Sequence, residues 1–330
     1  MPTRDRFEYQ ECEGLPLHVG LTKWNKTVSS PDRAAAMLRA AIRIALAPSP
    51  GPVHLEIPAD MLEMESGEEI FREENLGNVN SVRAPADRGK VAAVIDGLLK
   101  ADKPLIVAGK GVIISEAWGE LTKFAEALSI PVATSLGGKG AIDEASDLAM
   151  GTIGRNSRKI GNDSVRACDT VLAIGTRLGG LATHRWTLPF NEKTLYHFDA
   201  DPHILGHNYR TTLGVAGDAK ATLALANEII AEKKLARPRT AWAKGMTEKL
   251  NTWRKNAAEM SSVQKVDAIH PADVVAAARR CMGPNDIVGA DTGAHGGWVG
   301  ALFPVTAGKT FRSEEHTSEL QSHSFISYAV

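Results

Sequence analysis

Between Pro104 and Glu232, short apolar runs alternate with helically spaced apolar positions and glycine-rich turns. The runs are Leu105 to Ala108, Val132 to Thr134, Val171 to Gly175, Leu195 to Phe198 and Gly214 to Ala216. Each has the length of a buried strand, and their aliphatic content lacks the alternation of a sheet with one wet face. Apolar residues recur at three- and four-residue steps over Asp87 to Leu99 (Val91, Val94, Ile95, Leu98, Leu99) and over Ser115 to Leu128 (Leu121, Phe124, Ala125, Leu128). A third helix is predicted from Ala219 to Ala231, opened by Gly217-Asp218. Strands alternating with helices predict a parallel sheet wound with helices on both faces.

The flanks read as pieces of other sheets. Ser30-Pro31-Asp32 predicts a capped helix start, followed by an apolar face of Ala34, Met37, Leu38, Ala41, Ile42 and Ala45. Gly51 to Pro58 predicts a short strand ended by proline. At the other end, His270-Pro271-Ala272-Asp273 predicts a helix with Val274, Val275, Ala278 and Cys281 or Met282 inward, then a strand from Ile287 to Ala290. One helix and one strand cannot bury their apolar faces alone. The fold class is therefore α/β, a doubly wound parallel-sheet central domain flanked by incomplete α/β domains. The predicted divisions are 1–62, a linker at 63–86, the central domain at 87–232, a linker helix over 233–265 with Trp242 and Trp253 on one face, 266–311, and a tail at 312–330.

Composition narrows the function classes. The 330 residues carry 38 basic and 39 acidic side chains, and no basic stripe is interleaved with aromatics, so neither nucleic acid nor a membrane surface is an expected partner. No uninterrupted apolar run reaches about 18 residues and the N-terminus lacks an apolar signal core, so a cytoplasmic protein is expected. Cys12, Cys168 and Cys281 are too few and too scattered for a disulfide framework or a zinc site.

Three glycine-rich loops leave strands on one sheet edge: Gly109-Lys110-Gly111, Gly137 to Gly140 and Gly175 to Gly180. Strand C-terminal ends are where such sheets bind ligands. Gly109 and Gly111 are candidate cofactor-binding residues, read either as a backbone approach to phosphate or as a tight turn that needs glycine. Arg177 is a further candidate, either pairing with a phosphate or carboxylate or lying as a surface arginine paired to an acid. Asp199 and Asp201 stand where a ribose-binding carboxylate would, although for Asp201 capping a helix after Pro202 is the competing and favoured role. His184, His197, His203 and His207 lie close in sequence, with only His203 and His207 at helical spacing and no acidic third ligand between them, so no metal site is expected.

The segments GPVHLEIPADML, PLIVAGKGVIIS, IPVATSLGGKGAI, VLAIGTRL, HFDADPHILGHNY and VGADTGAH together resemble the thiamine diphosphate-dependent enzymes of the acetolactate synthase-like superfamily, over about residues 15 to 311. The resemblance implies the tail of a pyrimidine-binding domain, a complete central domain and the start of a diphosphate-binding domain. It implies thiamine diphosphate and Mg2+ as cofactors, a 2-oxo acid substrate, and a homodimer or homotetramer. Gly293, Ala294 and His295 match the family's diphosphate-proximal turn. The glutamate on the pyrimidine domain and the Gly-Asp-Gly metal motif of the family do not occur in the matched stretch, so no catalytic residue and no metal ligand is assigned. Arg177 matches a flavin-contacting position of acetolactate synthases, but Gly179 and Gly180 replace an acidic pair often found there, which leaves FAD, ADP or an empty site open.

The resemblance makes a carboligase or decarboxylase of 2-oxo acids the leading expectation, inactive as this stretch alone. The alternatives are a stand-alone nucleotide-binding module built on residues 87–232 and a relative that has lost catalysis. The run Arg312 to Ser322 looks like translated sequencing-adapter read-through and is expected to be non-native.

Overall fold

The computed structural model describes residues 14–67, 83–260, 269–291 and 293–313. The chain divides into two compact units, 1–82 and 83–330. In the first, α1 (Gly14–His18), β1 (Asn25–Thr27), α2 (Ala34–Leu46) and β2 (His54–Glu56) form a β-α-β unit whose two strands pair in parallel. The Ser30 hydroxyl makes no cap hydrogen bond; a 3-10 turn over Pro31–Arg33 leads into the helix instead. Of the predicted α2 face only Ala41 is buried, whereas Leu38 is 53% and Ile42 42% exposed. Two strands are too few to cover that stripe.

The second unit carries α3 (Arg88–Lys100), β3 (Pro104–Ala108), α4 (Lys110–Ile114), α5 (Trp118–Leu128), β4 (Val132–Thr134), β5 (Ala149–Thr152), α6 (Lys159–Ala167), β6 (Thr170–Ile174), β7 (Thr194–Asp199), β8 (Leu213–Ala216), α7 (Ala219–Glu232) and α8 (Ala241–Met260). Its six strands are all parallel, in the order β5-β4-β3-β6-β7-β8. Every residue of β3 and β6 is buried, because helices cover both faces. Ile106 and Ala108 pack with α3, α5 and α7, while Leu105 and Val107 pack with α6 and α8. Each fully buried large side chain there, such as Phe124, contributes roughly 1.5–3 kcal/mol. Asp87 and Asp218 cap α3 and α7 by accepting from Lys90 N and Ala221 N.

Three local expectations change. The helix predicted from Ser115 begins at Trp118, because Glu116 takes a left-handed φ of 58° and splits α4 from α5. Strand β5, Ala-Met-Gly-Thr, has too little β-branched content to stand out in the sequence. No helix follows Pro202; Asp201 accepts from His203 N at 3.0 Å in a turn, so His203 and His207 are not a helical pair.

Beyond α8, which docks through Trp242 and Trp253 as its spacing predicts, come α9 (Pro271–Cys281), β9 (Val288–Ala290), α10 (Ala294–Leu302) and β10 (Phe311–Ser313). Strands β9 and β10 pair in parallel. Val275 faces inward on α9 and Met282 packs against the same cluster, as expected, and Ala272 joins them, whereas Val274, Ala278 and Cys281 are exposed. Arg312 and Ser313, assigned above to the tail, pair with Gly289 and Ala290. Residues 314–330, Cys12 and most of the 63–86 linker lie outside the described residues.

Candidate functional site

The sheet reverses its strand order between β3 and β6, the position where doubly wound sheets open a ligand crevice. Here that position is closed by backbone. Gly109 N donates to Ile174 O and Gly111 N to Gly175 O, at 2.8 and 2.9 Å. A Cβ on Gly109 would lie 2.2 Å from Gly175 O, and one on Gly138 would lie 2.3 Å from Ala108 O. The three glycine-rich loops thus pack on one another, and glycine is required at these positions because backbone meets backbone.

Arg177 follows the same loop and is exposed, its carbonyl accepting from Asn208 Nδ2 at 2.7 Å. Beside it is a shallow, open crevice lined by Leu178, His197, His207, Asn208 and Tyr209 among others. His197 is buried, hydrogen-bonded through Nε2 to Thr176 O at 2.9 Å, and burial pushes its pKa down. It is a core histidine that fixes the Arg177 loop. Burial pushes Asp199 and Tyr209 up. Among the described residues no group of three or more His, Cys, Asp or Glu is placed to hold a metal.

Gly293, Ala294 and His295 form the exposed opening of α10. Gly293 takes φ +140°, and a Cβ there would fall 2.9 Å from His295 Cε1. Only glycine leaves room there for the imidazole, and the first N–H groups of the helix have no intrahelical partner. Helix α10 rests on the β4 and β5 loops, where a Cβ on Gly300 would meet Leu136 and Asn156. Gly109, Gly111 and Arg177 belong to the β3 and β6 loops instead, so the candidates fall into two groups built by different elements.

Between α10 and the central sheet lies a charged cluster that sequence reading missed. Lys139 Nζ is 2.7 and 2.8 Å from the two Glu144 oxygens, and Arg158 Nη2 is 2.7 Å from Glu144 Oε2, all three side chains buried. Val305 N also donates to Glu144 Oε2, at 3.0 Å. Burial lowers Lys139 to about 8, against the pull of Glu144 and with help from Arg158. Burial alone would raise Glu144, but the two cations hold it below the usual carboxylate range. The one visible signal was a lysine inside a glycine turn with a glutamate five residues on.

A six-stranded parallel sheet, sealed by glycine loops at its switch point and accompanied by a neighbouring β-α-β unit, defines a doubly wound α/β domain. Residues 91–225 match the family described as thiamine pyrophosphate enzyme, central domain. The chain belongs to the acetolactate synthase-like thiamine diphosphate-dependent enzymes. It is 36% identical over 222 residues to a probable acetolactate synthase large subunit of Methanocaldococcus jannaschii, covering 65% of this chain and 37% of that protein. It is 31% identical over 302 residues to the acetolactate synthase large subunit of Parasynechococcus marenigrum, covering 89% and 47%. With glyoxylate carboligase of Escherichia coli O157:H7 the identity is 30% over 234 residues, covering 71% and 39%. The chain spans about half the length or less of these relatives. Among the described residues no helix is long and apolar enough to cross a membrane.

Proposed function

We propose that this chain contributes the central domain and one diphosphate-facing turn to a thiamine diphosphate-dependent carboligase or decarboxylase of 2-oxo acids. The observation that carries the reading is the Gly293 opening of α10 docked beside a thiamine pyrophosphate enzyme central domain. A Cβ on Gly293 would crowd the His295 ring, and the opening N–H groups of the helix, which have no intrahelical partner, suit a diphosphate. Thiamine diphosphate, when bound, supplies the electron sink for the 2-oxo acid chemistry. The part of Ala294, His295 and the backbone around them is to bind and orient. The described residues provide no acidic cluster for Mg2+, so no proton or metal step is assigned to them.

Relatives named acetolactate synthase and glyoxylate carboligase support a 2-oxo acid as substrate, and on the family resemblance alone the assembled enzyme is read as a homodimer or homotetramer. The chain by itself is expected to be inactive. Incubation with pyruvate, thiamine diphosphate and Mg2+ should give no product, and a polypeptide carrying this chain at the relatives' length should give a carboligation or decarboxylation product. Turnover by the chain alone would defeat the first statement; a long form that binds thiamine diphosphate yet leaves every 2-oxo acid unchanged would defeat the second. FAD or ADP beside Arg177 is the weaker reading, because the crevice there is an open depression that encloses essentially no volume, whereas small-molecule pockets enclose roughly 300–1,000 Å³.

A further inference from the structure

The last carbonyls of a helix have no partner within it. In α10 one of them is taken by the central domain, Arg158 Nε donating to Ala301 O at 2.8 Å, while the Thr152 hydroxyl lies between Gly300 O at 3.3 Å and Asn156 O at 3.1 Å. The same guanidinium reaches Glu144 Oε2 through Nη2 at 2.7 Å and lies 4.6 Å from the centre of the Trp253 ring on α8. Glu144 continues the clamp past the helix, exchanging two bonds with Val305 through its carboxylate and its own N–H, each 3.0 Å. The β5 backbone gives way to this arginine: a Cβ on Gly151 would lie 2.2 Å from Arg158 Cδ.

We infer that Arg158 is a positioning residue, whose two-pronged grip on Glu144 and Ala301 sets the placement of the Gly293–His295 turn through the body of α10. The helix is nine residues long, about 13 Å from end to end, so a tilt of roughly 10° at the clamped end carries the free end by about 2 Å. A displacement on that scale is enough to spoil a diphosphate contact. The inference rests on the diphosphate reading of the turn. It adds that the affinity of the turn is set from the far end of the helix, by a residue that touches no ligand.

The test compares Arg158→Lys with Arg158→Met in the full chain. Lysine keeps a cation for Glu144 but lacks the fork that reaches Ala301 O at the same time. In hydrogen exchange without ligand, both variants should speed exchange over 294–303 by roughly tenfold or more while β3 and β6 keep their protection. Both should weaken binding of inorganic pyrophosphate, the probe for the turn, by a similar factor in calorimetric titration. Glu144→Gln, which loosens the grip from its other side, should move both readouts the same way. Wild-type exchange over 294–303 in Arg158→Lys would overturn the inference, as would equal loss of protection in β3 and β6, since charge or general stability would then suffice. If exchange responds as expected but the wild-type chain does not bind pyrophosphate, the diphosphate reading fails and takes the functional meaning of the coupling with it.

Discussion

Lys139 Nζ touches both carboxylate oxygens of Glu144, at 2.7 and 2.8 Å, where neither side chain meets solvent. Arg158 closes on the same carboxylate, so two buried cations share one anion. Such a cluster costs desolvation on every member, and a charge left buried without its partner is strongly destabilising.

Removing the shared anion is therefore the severe change. Glu144→Ala strands Lys139, Arg158 and Val305 N at once, and a loss of about 3–5 kcal/mol is expected, read as a fall in melting temperature of roughly 6–20 °C for a unit of this size. Lys139→Met removes the surplus cation and leaves the Glu144–Arg158 pair intact, so its loss should be clearly smaller. Thermal unfolding followed by circular dichroism orders the two; an equal or greater loss in Lys139→Met would refute this account of the cluster.

Alanine at the switch point should act through backbone. Gly109→Ala and Gly138→Ala place a methyl 2.2 and 2.3 Å from carbonyl oxygens of neighbouring loops, and the loops must separate to admit it. Gly245, inside α8, has nothing within 4 Å of its added Cβ, so Gly245→Ala should stabilise by roughly 0.5–1 kcal/mol. Urea unfolding of the three variants gives the signs directly. A neutral Gly109→Ala would mean that the loops are not in backbone contact.

The central domain was legible because its strands are buried on both faces: Leu105 to Ala108 and Val171 to Ile174 leave no polar position to blur them. Strand β5 was not, since Ala149 and Gly151 carry no strand signal and the strand is held by its pairing with β4. The break at Glu116 escaped because Val112 to Leu128 satisfies helical spacing throughout, while the turn is set by the hydrogen bond from Ala117 N to Val112 O. For the site, the candidate glycines were visible as residues, but which of them meets backbone and which opens a helix depends on packing. The Glu144 cluster was invisible for a related reason. Its bond to Val305 joins positions 161 apart in sequence, and no periodicity reports a hydrogen bond at that distance.

The cysteines should separate by reactivity. Cys168 is buried on the α6 side of the sheet, its Sγ 3.2 Å from Val165 O, and burial pushes its pKa up to about 12. Cys281 is exposed at the end of α9. Iodoacetamide on the folded chain should label Cys281 and spare Cys168 until denaturant is added. Mass spectrometry of the labelled peptides reads the outcome, and early labelling of Cys168 would show that the α6 face opens under native conditions.

The buried lysine also fixes the sign of a pH effect. Folded Lys139 releases its proton near pH 8, whereas in the unfolded chain it holds the proton to about its ordinary 10.5. Across that window the unfolded state binds the extra proton, so the contribution of Lys139 to stability rises with pH. Glu144 acts at the other end: its pKa is depressed in the folded state, so its stabilisation is present above the ordinary carboxylate range and is lost as pH falls through the depressed value. Urea unfolding of the wild type and of Lys139→Met isolates the lysine, because Glu144 stays ionised throughout the alkaline window. The stability difference, wild type minus variant, should climb between about pH 8 and 10.5 and level off above. A flat or falling difference would mean that Lys139 keeps its charge in the folded chain, with the Glu144 carboxylate outweighing the desolvation and the Arg158 repulsion that push the proton off.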